Sequence, residues 1–174
     1  MSDTFKNVFT PYKFRTFEVK NRIVLPPMAI YIPGSEGYVK QRLLDYYEER
    51  AKGGVGFIVV NATYVSPSGG RSHPNQTALT DDSYIEGMKK LVDVIHAHGA
   101  KTSIQLYHSG RQRFGMIAGG ETLSPSGISD PVRKDPTRAI TVEEIHELVK
   151  QFADAALRAK KAGFDGIELH CGHG

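Results

Sequence analysis

The 174 residues contain a single cysteine, Cys171, so no disulfide can form within the chain, which fits a reducing compartment. No run of about 18 apolar residues occurs, and the opening MSDTFKNVFTPYKF lacks the apolar stretch of a secretion signal. Neither a membrane span nor export is expected, and the chain reads as cytoplasmic. Sequons at Asn61 and Asn75 carry no weight without such a signal. An excess of one charge is missing as well. The 22 Lys and Arg against 19 Asp and Glu leave a net +3, spread along the chain without a basic block. Nucleic acid is therefore not an expected partner. Low-complexity segments are absent.

What is present is alternation of short apolar runs with amphipathic stretches. NRIVL (21–25) is a short strand stopped by Pro26 and Pro27, after a small hairpin in KFRTFEVK. In VKQRLLDYYEERAKGG, Leu43, Leu44, Tyr47 and Ala51 share one helical face, and Gly53 and Gly54 end the helix. A β-branched strand follows at 56–62. Asp81 or Asp82 then caps a helix buried through Ile85, Met88, Val92 and Ile95. A third strand spans 100–108, and a loop rich in Gly, Pro and Ser runs over 109–140. Thr141 and Glu144 form a capping box for a helix with the stripe Ile145, Leu148, Phe152, Ala155 and Ala159. The fourth strand is FDGIELH, 164–170.

Repeated strand–helix units imply an α/β fold with a parallel sheet. An open doubly wound sheet would carry a glycine-rich phosphate loop after its first strand. That position reads LPPMAIY, and two prolines cannot supply the N–H groups of such a cradle. The polar residues cluster instead at the C-terminal strand ends, as in a (β/α)8 TIM barrel, of which four βα units are expected here.

Those ends bear Pro26, Pro27, Met28, Ala29 and Tyr31, then Asn61, Ala62 and Thr63. The third gives Gln105, Tyr107, His108 and Arg111, and the fourth His170, Cys171 and His173. Side chains alternate along a strand, so Gln105, Glu168 and His170 point inward while Ile104, Leu106, Ile167 and Leu169 face the helices. Glu168 is expected to pair with a basic group of the interior, since an unpaired buried acid costs several kcal/mol. Gln105 also reads as a satisfied core amide, and His108 as a loop residue. The His170/His173 pair is either a donor pair for a substrate oxygen or, with His108 or Cys171, part of a metal site. The first strand end, with only prolines and methionine, disfavours the metal.

The stretches KNRIVLPPM, YYEERAKGGVGFIVV, HAHGAKTSIQLYHSGR and LSPSGISDPVRKDPTRAITVEEIHELVKQFADAALRAKKAGFDGIELH, with HCGHG, make the chain resemble the N-terminal half of the Old Yellow Enzyme family. These are FMN-dependent NADH:flavin oxidoreductases. The long fourth stretch is most similar to the dienoyl-CoA and enoate reductase side. The resemblance implies that residues 1–174 are the first half of an FMN-binding barrel. The parent enzyme would use NADH or NADPH to reduce an activated C=C bond of an enone, enoate or enoyl-CoA-type substrate, with hydride passing through flavin N5. Pro27, Met28 and Ala29 would lie against the isoalloxazine ring, Ala62 would contact its pyrimidine edge through the backbone, and Gln105 would read its O2/N3 edge. His170 and His173 would hold the substrate oxygen as an oxyanion-type site, with Tyr31 near the substrate. Many relatives carry Cys or Thr where Ala29 stands.

Further elements belong to later segments in this family. A tyrosine following the second histidine protonates the α-carbon, and the FMN phosphate site and an arginine beside reduced flavin come from later strands. A 4Fe–4S cluster and an FAD-binding region often follow on the enoate reductase side. A homo-oligomer is compatible with all of this. Three rivals stand beside it: a half-barrel that dimerises into eight strands, a non-catalytic scaffold, and a metal-dependent barrel hydrolase.

Overall fold

Pro26 and Pro27 cut the first barrel strand to two paired residues, because a proline nitrogen has no hydrogen to give to a ladder. In this computed structural model, which describes residues 5–113 and 121–173, the elements follow the expected alternation. Residues 114–120 of the expected 109–140 loop lie outside the described residues. A hairpin of β1 (Tyr12–Lys13) and β2 (Glu18–Val19) leads into β3 (Val24–Leu25), α1 (Gln41–Lys52), β4 (Phe57–Tyr64) and α2 (Ile85–His96). The chain continues through β5 (Lys101–Tyr107), β6 (Thr122–Ser124), β7 (Thr137–Ala139), α3 (Val142–Ala162) and β8 (Gly166–Leu169).

β3, β4, β5 and β8 form one parallel sheet in that spatial order. This is the strand arrangement of the first part of a (β/α)8 barrel. The helices cover one face. There Ile58 and Val60 of β4 and Ile104 and Leu106 of β5, all fully buried, meet Leu43 and Tyr47 of α1, Met88, Leu91 and Ile95 of α2, and Ala155, Ala159 and Ala162 of α3. Burying each such Leu or Ile contributes roughly 1.5–3 kcal/mol. The capping box of α3 is complete in both directions, and Gly163 ends the helix at φ +95°, a conformation that suits glycine.

Several expectations are corrected. β8 is the outer strand of the described sheet, so Ile167 and Leu169 remain 45% and 55% exposed instead of covered by helices. Ile145 of α3, expected on its buried stripe, is exposed too. Leu148 there faces a small cavity shared with Leu123 and His108. Leu91 joins the buried face of α2, and Ile85 is only partly buried. The 109–140 segment is not all loop: β6 and β7 pair in parallel, Thr122 with Thr137, and a 3₁₀ turn spans Gly110–Gln112. Among the described residues Glu168 forms no ion pair. It accepts a hydrogen bond from Gln105 Nε2 at 2.6 Å, because the β5/β8 register sets those two residues side by side.

Two polar clusters tie the layers together. The buried Tyr47 hydroxyl donates to Asn61 Oδ1 (3.0 Å) and accepts the Asn61 backbone N–H (2.8 Å), and Asn61 Nδ2 donates to Thr77 Oγ1 (3.0 Å). Burial pushes the Tyr47 phenol well above its usual range, so it stays protonated. At the opposite sheet end, Asp165 receives Lys101 Nζ (2.9 Å), the Thr102 N–H (2.9 Å) and His96 Nε2 (2.7 Å). Burial works against ionisation of Asp165, but these donors outweigh it and hold its carboxyl below the usual value.

Tyr47→Phe leaves the Asn61 N–H and Oδ1 without this partner and should cost about 1–3 kcal/mol, read by urea denaturation. Asp165→Asn should cost about 1–3 kcal/mol at pH 7. A depressed folded-state pKa stabilises above the unfolded value of about 3.9 and is lost as pH falls through the folded value. The gap between wild type and Asp165→Asn in thermal unfolding should therefore be full at neutral pH and shrink below about pH 4. A gap that is constant with pH would contradict this account.

Candidate active site

A parallel sheet aims every strand's C-terminal end the same way, and a cleft opens there. Its walls are Ala29, Ile30 and Tyr31 after β3, Asn61 and Ala62 in β4, and Ser72 and Gln76 from the next loop. Tyr107 and Gln112 follow from β5, and Arg133, His170 and His173 complete the lining. The structure thus brings five of the expected site residues into one cleft: Ala29, Tyr31, Ala62, His170 and His173. Pro27 and Met28 precede the cleft on the same segment, and Met28 is exposed. Gln105 lies on the inner face of β5, nearly buried and turned to Glu168.

Ala62 owes its position to a β-bulge. The β4/β5 register slips between Val60 and Thr63, so one residue of β4 has no opposite number. The Ala62 carbonyl leaves the regular ladder and accepts Gln76 Nε2 at 3.1 Å and Asn61 Nδ2 at 3.3 Å. Gln76 Oε1 in turn accepts the Ser72 N–H (2.8 Å) and hydroxyl (3.0 Å), which shapes the loop above the bulge. Tyr31 stacks on His73 with ring centroids 3.8 Å apart.

The histidines are ordered in series. His170 Nδ1 accepts the Gly172 N–H at 3.1 Å, so the proton of the neutral ring sits on Nε2. That nitrogen lies 3.1 Å from His173 Nδ1, which must then accept and carry its own hydrogen on Nε2. Two donors side by side were expected. Because the rings bond each other, this arrangement offers one outward N–H, that of His173. Burial, and then His173, lowers the His170 pKa against a smaller opposing pull from Glu168, which favours the neutral ring. His173 adopts φ +69°, a strained backbone for a residue with a side chain.

His108 belongs to the scaffold of the site. Its Nδ1 accepts the Gly110 N–H at 3.1 Å, and burial pushes its pKa down to about 4 against a bond to the Ser68 backbone. The neutral ring clips the β4 and β5 loops together. Cys171 is exposed. No group of three or more His, Cys, Asp or Glu among the described residues is arranged to hold a metal ion. No helix among them is long and apolar enough to cross a membrane. Sequence reasoning missed Ser72, Gln76, Gln112 and Arg133. They sit in loops and, for Gln112, a short 3₁₀ turn, where no periodicity tells which side chains turn inward.

The donor set suits a flat heteroaromatic cofactor. It offers small side chains at Ala29 and Ala62, and neutral amides rather than carboxylates. The comparisons agree. The chain is 41% identical over 171 residues to the NADH oxidase of Thermoanaerobacter brockii, covering 98% of this chain and 26% of that protein. It is 43% identical over 168 residues to the NADPH dehydrogenase of Halalkalibacterium halodurans, covering 96% and 48%. The chain therefore spans half or less of the length of these relatives. Among solved structures, the Old Yellow Enzyme from Pichia sp. AKU4542 matches with a TM-score of 0.86 at 31% identity, over 97% of this chain and 46% of that one. A 2-naphthoyl-CoA reductase in complex with 2-naphthoyl-CoA matches with a TM-score of 0.88 at 33% identity, over 95% and 27%. The NADH:flavin oxidoreductase / NADH oxidase family matches residues 7–174, and the chain belongs to that family.

Proposed function

We propose that this chain is the N-terminal half of the catalytic barrel of an FMN-dependent NAD(P)H oxidoreductase that reduces activated C=C bonds. The observation that carries the reading is the convergence of Ala29, Tyr31, Ala62, His170 and His173 on one cleft with no carboxylate among its described lining residues. Bound FMN would supply hydride exchange between NAD(P)H and the β-carbon of an unsaturated carbonyl compound.

The chain's own residues orient and polarise. Glu168 is an acceptor only, so it takes the Nε2 side of Gln105 and thereby fixes the amide. One Nε2 hydrogen and Oε1 are then left to meet the complementary O2 and N3–H of a flavin pyrimidine edge. The bulge at Ala62 turns backbone toward the same cleft, and Ala29 keeps the opposite wall flat. Glu168 is in this reading a positioning residue for Gln105.

As the β-carbon is reduced, negative charge grows on the carbonyl oxygen. His173 Nε2–H is the first donor for that oxygen. It is polarised through the series Gly172 N–H, His170, His173. His170 Nε2–H becomes a second donor when the ring-to-ring bond opens. A neutral donor pair stabilises developing charge without drawing a proton away from later steps.

Two outcomes test the reading in the full-length enzyme. Gln105→Leu removes both amide contacts and should weaken FMN binding about tenfold or more, read by flavin fluorescence on dilution; unchanged retention would remove Gln105 from the cofactor site. His170→Ala with His173→Ala should slow reoxidation of the reduced flavin by an enone about 10²–10³-fold. Flavin reduction by NAD(P)H should change far less in the same stopped-flow series. If both half-reactions keep wild-type rates, the histidines do not hold the substrate oxygen.

A further inference from the structure

Part of the cleft wall is an aromatic stack. The Tyr31 ring, exposed at the rim, lies on the His73 ring with centroids 3.8 Å apart and planes 20° apart. His73 belongs to the turn between β4 and α2, and that turn is braced from within. His73 Nδ1 accepts the Asn75 N–H (3.1 Å), the His73 carbonyl accepts the Gln76 N–H (3.1 Å), and Gln76 Oε1 accepts the Ser72 N–H (2.8 Å). The buried Gln76 side chain then donates through Nε2 to the Ala62 carbonyl (3.1 Å). Arg71 ties the turn to the segment that carries Tyr31, donating to the Pro74 and Ser35 carbonyls at 3.4 and 3.0 Å.

The Gln76 amide can point only one way. A backbone N–H gives and a carbonyl takes, so Oε1 faces Ser72 and Nε2 faces Ala62. The brace thus runs in one defined sense from the β4 bulge to the imidazole. Tyr31 has no such frame of its own. Residues 26–40 form neither strand nor helix, so the direction of its phenol depends on what the ring lies against. Burial raises the Tyr107 phenol pKa against a bond to Ser72, and the proximity of Tyr31 adds to the rise. The two phenols therefore share the cleft. A rim side chain that is already held need not be ordered when a ligand arrives, which favours binding.

We infer that His73 is a positioning residue whose imidazole, stacked on Tyr31, holds that phenol at the rim of the cleft where it meets the substrate. The inference rests on the ene-reduction reading for the place of the substrate, and on the stack and its brace for the role of His73. The competing role is that His73 serves the turn alone, through Nδ1. Two substitutions separate these roles. His73→Phe keeps a flat ring on Tyr31 and loses the acceptor. His73→Asn loses the ring and keeps an acceptor for the N–H two residues on, as in an Asx turn.

The test measures the Kd of 2-cyclohexenone on the full-length flavoenzyme by calorimetry, alongside its turnover. His73→Asn should raise the Kd about three- to tenfold, and His73→Phe should stay within about twofold of wild type. In a Tyr31→Ala background His73→Asn should add less than about twofold, because the ring it positions is gone. The reverse order of the two variants, an unchanged Kd in His73→Asn, or an equal effect of His73→Asn with and without the Tyr31 ring overturns the inference. Should either variant fail to fold, His73→Leu against His73→Tyr poses the same contrast of bulk without and with an aromatic face. If the enone binds in the expected pattern and is not reduced, the ene-reduction reading fails and the positioning role stands. If it is reduced with a Kd indifferent to His73, the reading stands and the positioning role fails. If it neither binds nor is reduced, both fail.

Discussion

Everything at the cleft depends on the register between β5 and β8. A parallel ladder puts residue opposite residue, and here it sets Gln105 beside Glu168, Ile104 beside Ile167 and Leu106 beside Leu169. One further bond, from the His170 N–H to the Leu106 carbonyl at 3.0 Å, carries the pairing into the histidine segment. A slip of β8 by one residue would turn Glu168 to the helix face and set an apolar side chain, Ile167 or Leu169, beside Gln105 instead. The same hydrogen bonds that build the sheet therefore aim the chemistry.

The two sheet ends divide the work. The N-terminal end is tied by charged contacts, where Asp165 gathers Lys101, Thr102 and His96, and where His98 meets Glu48 at 3.2 Å. The cleft at the C-terminal end is lined mainly by neutral hydrogen-bonding groups, with Arg133 the charged side chain among its described lining residues. Ion pairs give stability and fixed geometry, while a site that must accept developing charge is better lined with neutral donors already in place. The aromatic cluster of Phe14, Phe17 and Phe57 brings the β1–β2 hairpin against the start of β4, with Phe17 and Phe57 stacked at 5.7 Å.

Much of this was legible in the sequence, for a physical reason. Alternation in SIQLYH told inward from outward because the packed helix layer enforces the two-residue period, and Ile104 and Leu106 are fully buried as that alternation requires, whereas in GIELH the same alternation put Ile167 and Leu169 in a helix layer that does not cover them. The capping box at Thr141 could be read because its three-residue spacing is local. The Glu168 partner could not be read, since strand register is a relation between segments more than 60 residues apart. Nor could Arg133 or Gln76, which depend on how irregular loops fold back, or the bulge at Ala62, which leaves no mark in a run of small and β-branched residues. The histidine spacing announced a pair, but their serial order depends on the backbone N–H of Gly172.

That bulge also bears on how such a barrel can change over generations. Below it, Ile58 and Val60 keep the phase of the packed layer; above it, Asn61 to Tyr64 follow a second phase, held by Tyr47, Thr77 and Gln76. A break of this kind uncouples inheritance at the rim from inheritance in the core. Substitutions beyond Val60 can explore new ligand contacts without turning the residues beneath them to the wrong side, so the rim can diversify while the wall that supports it stays the same.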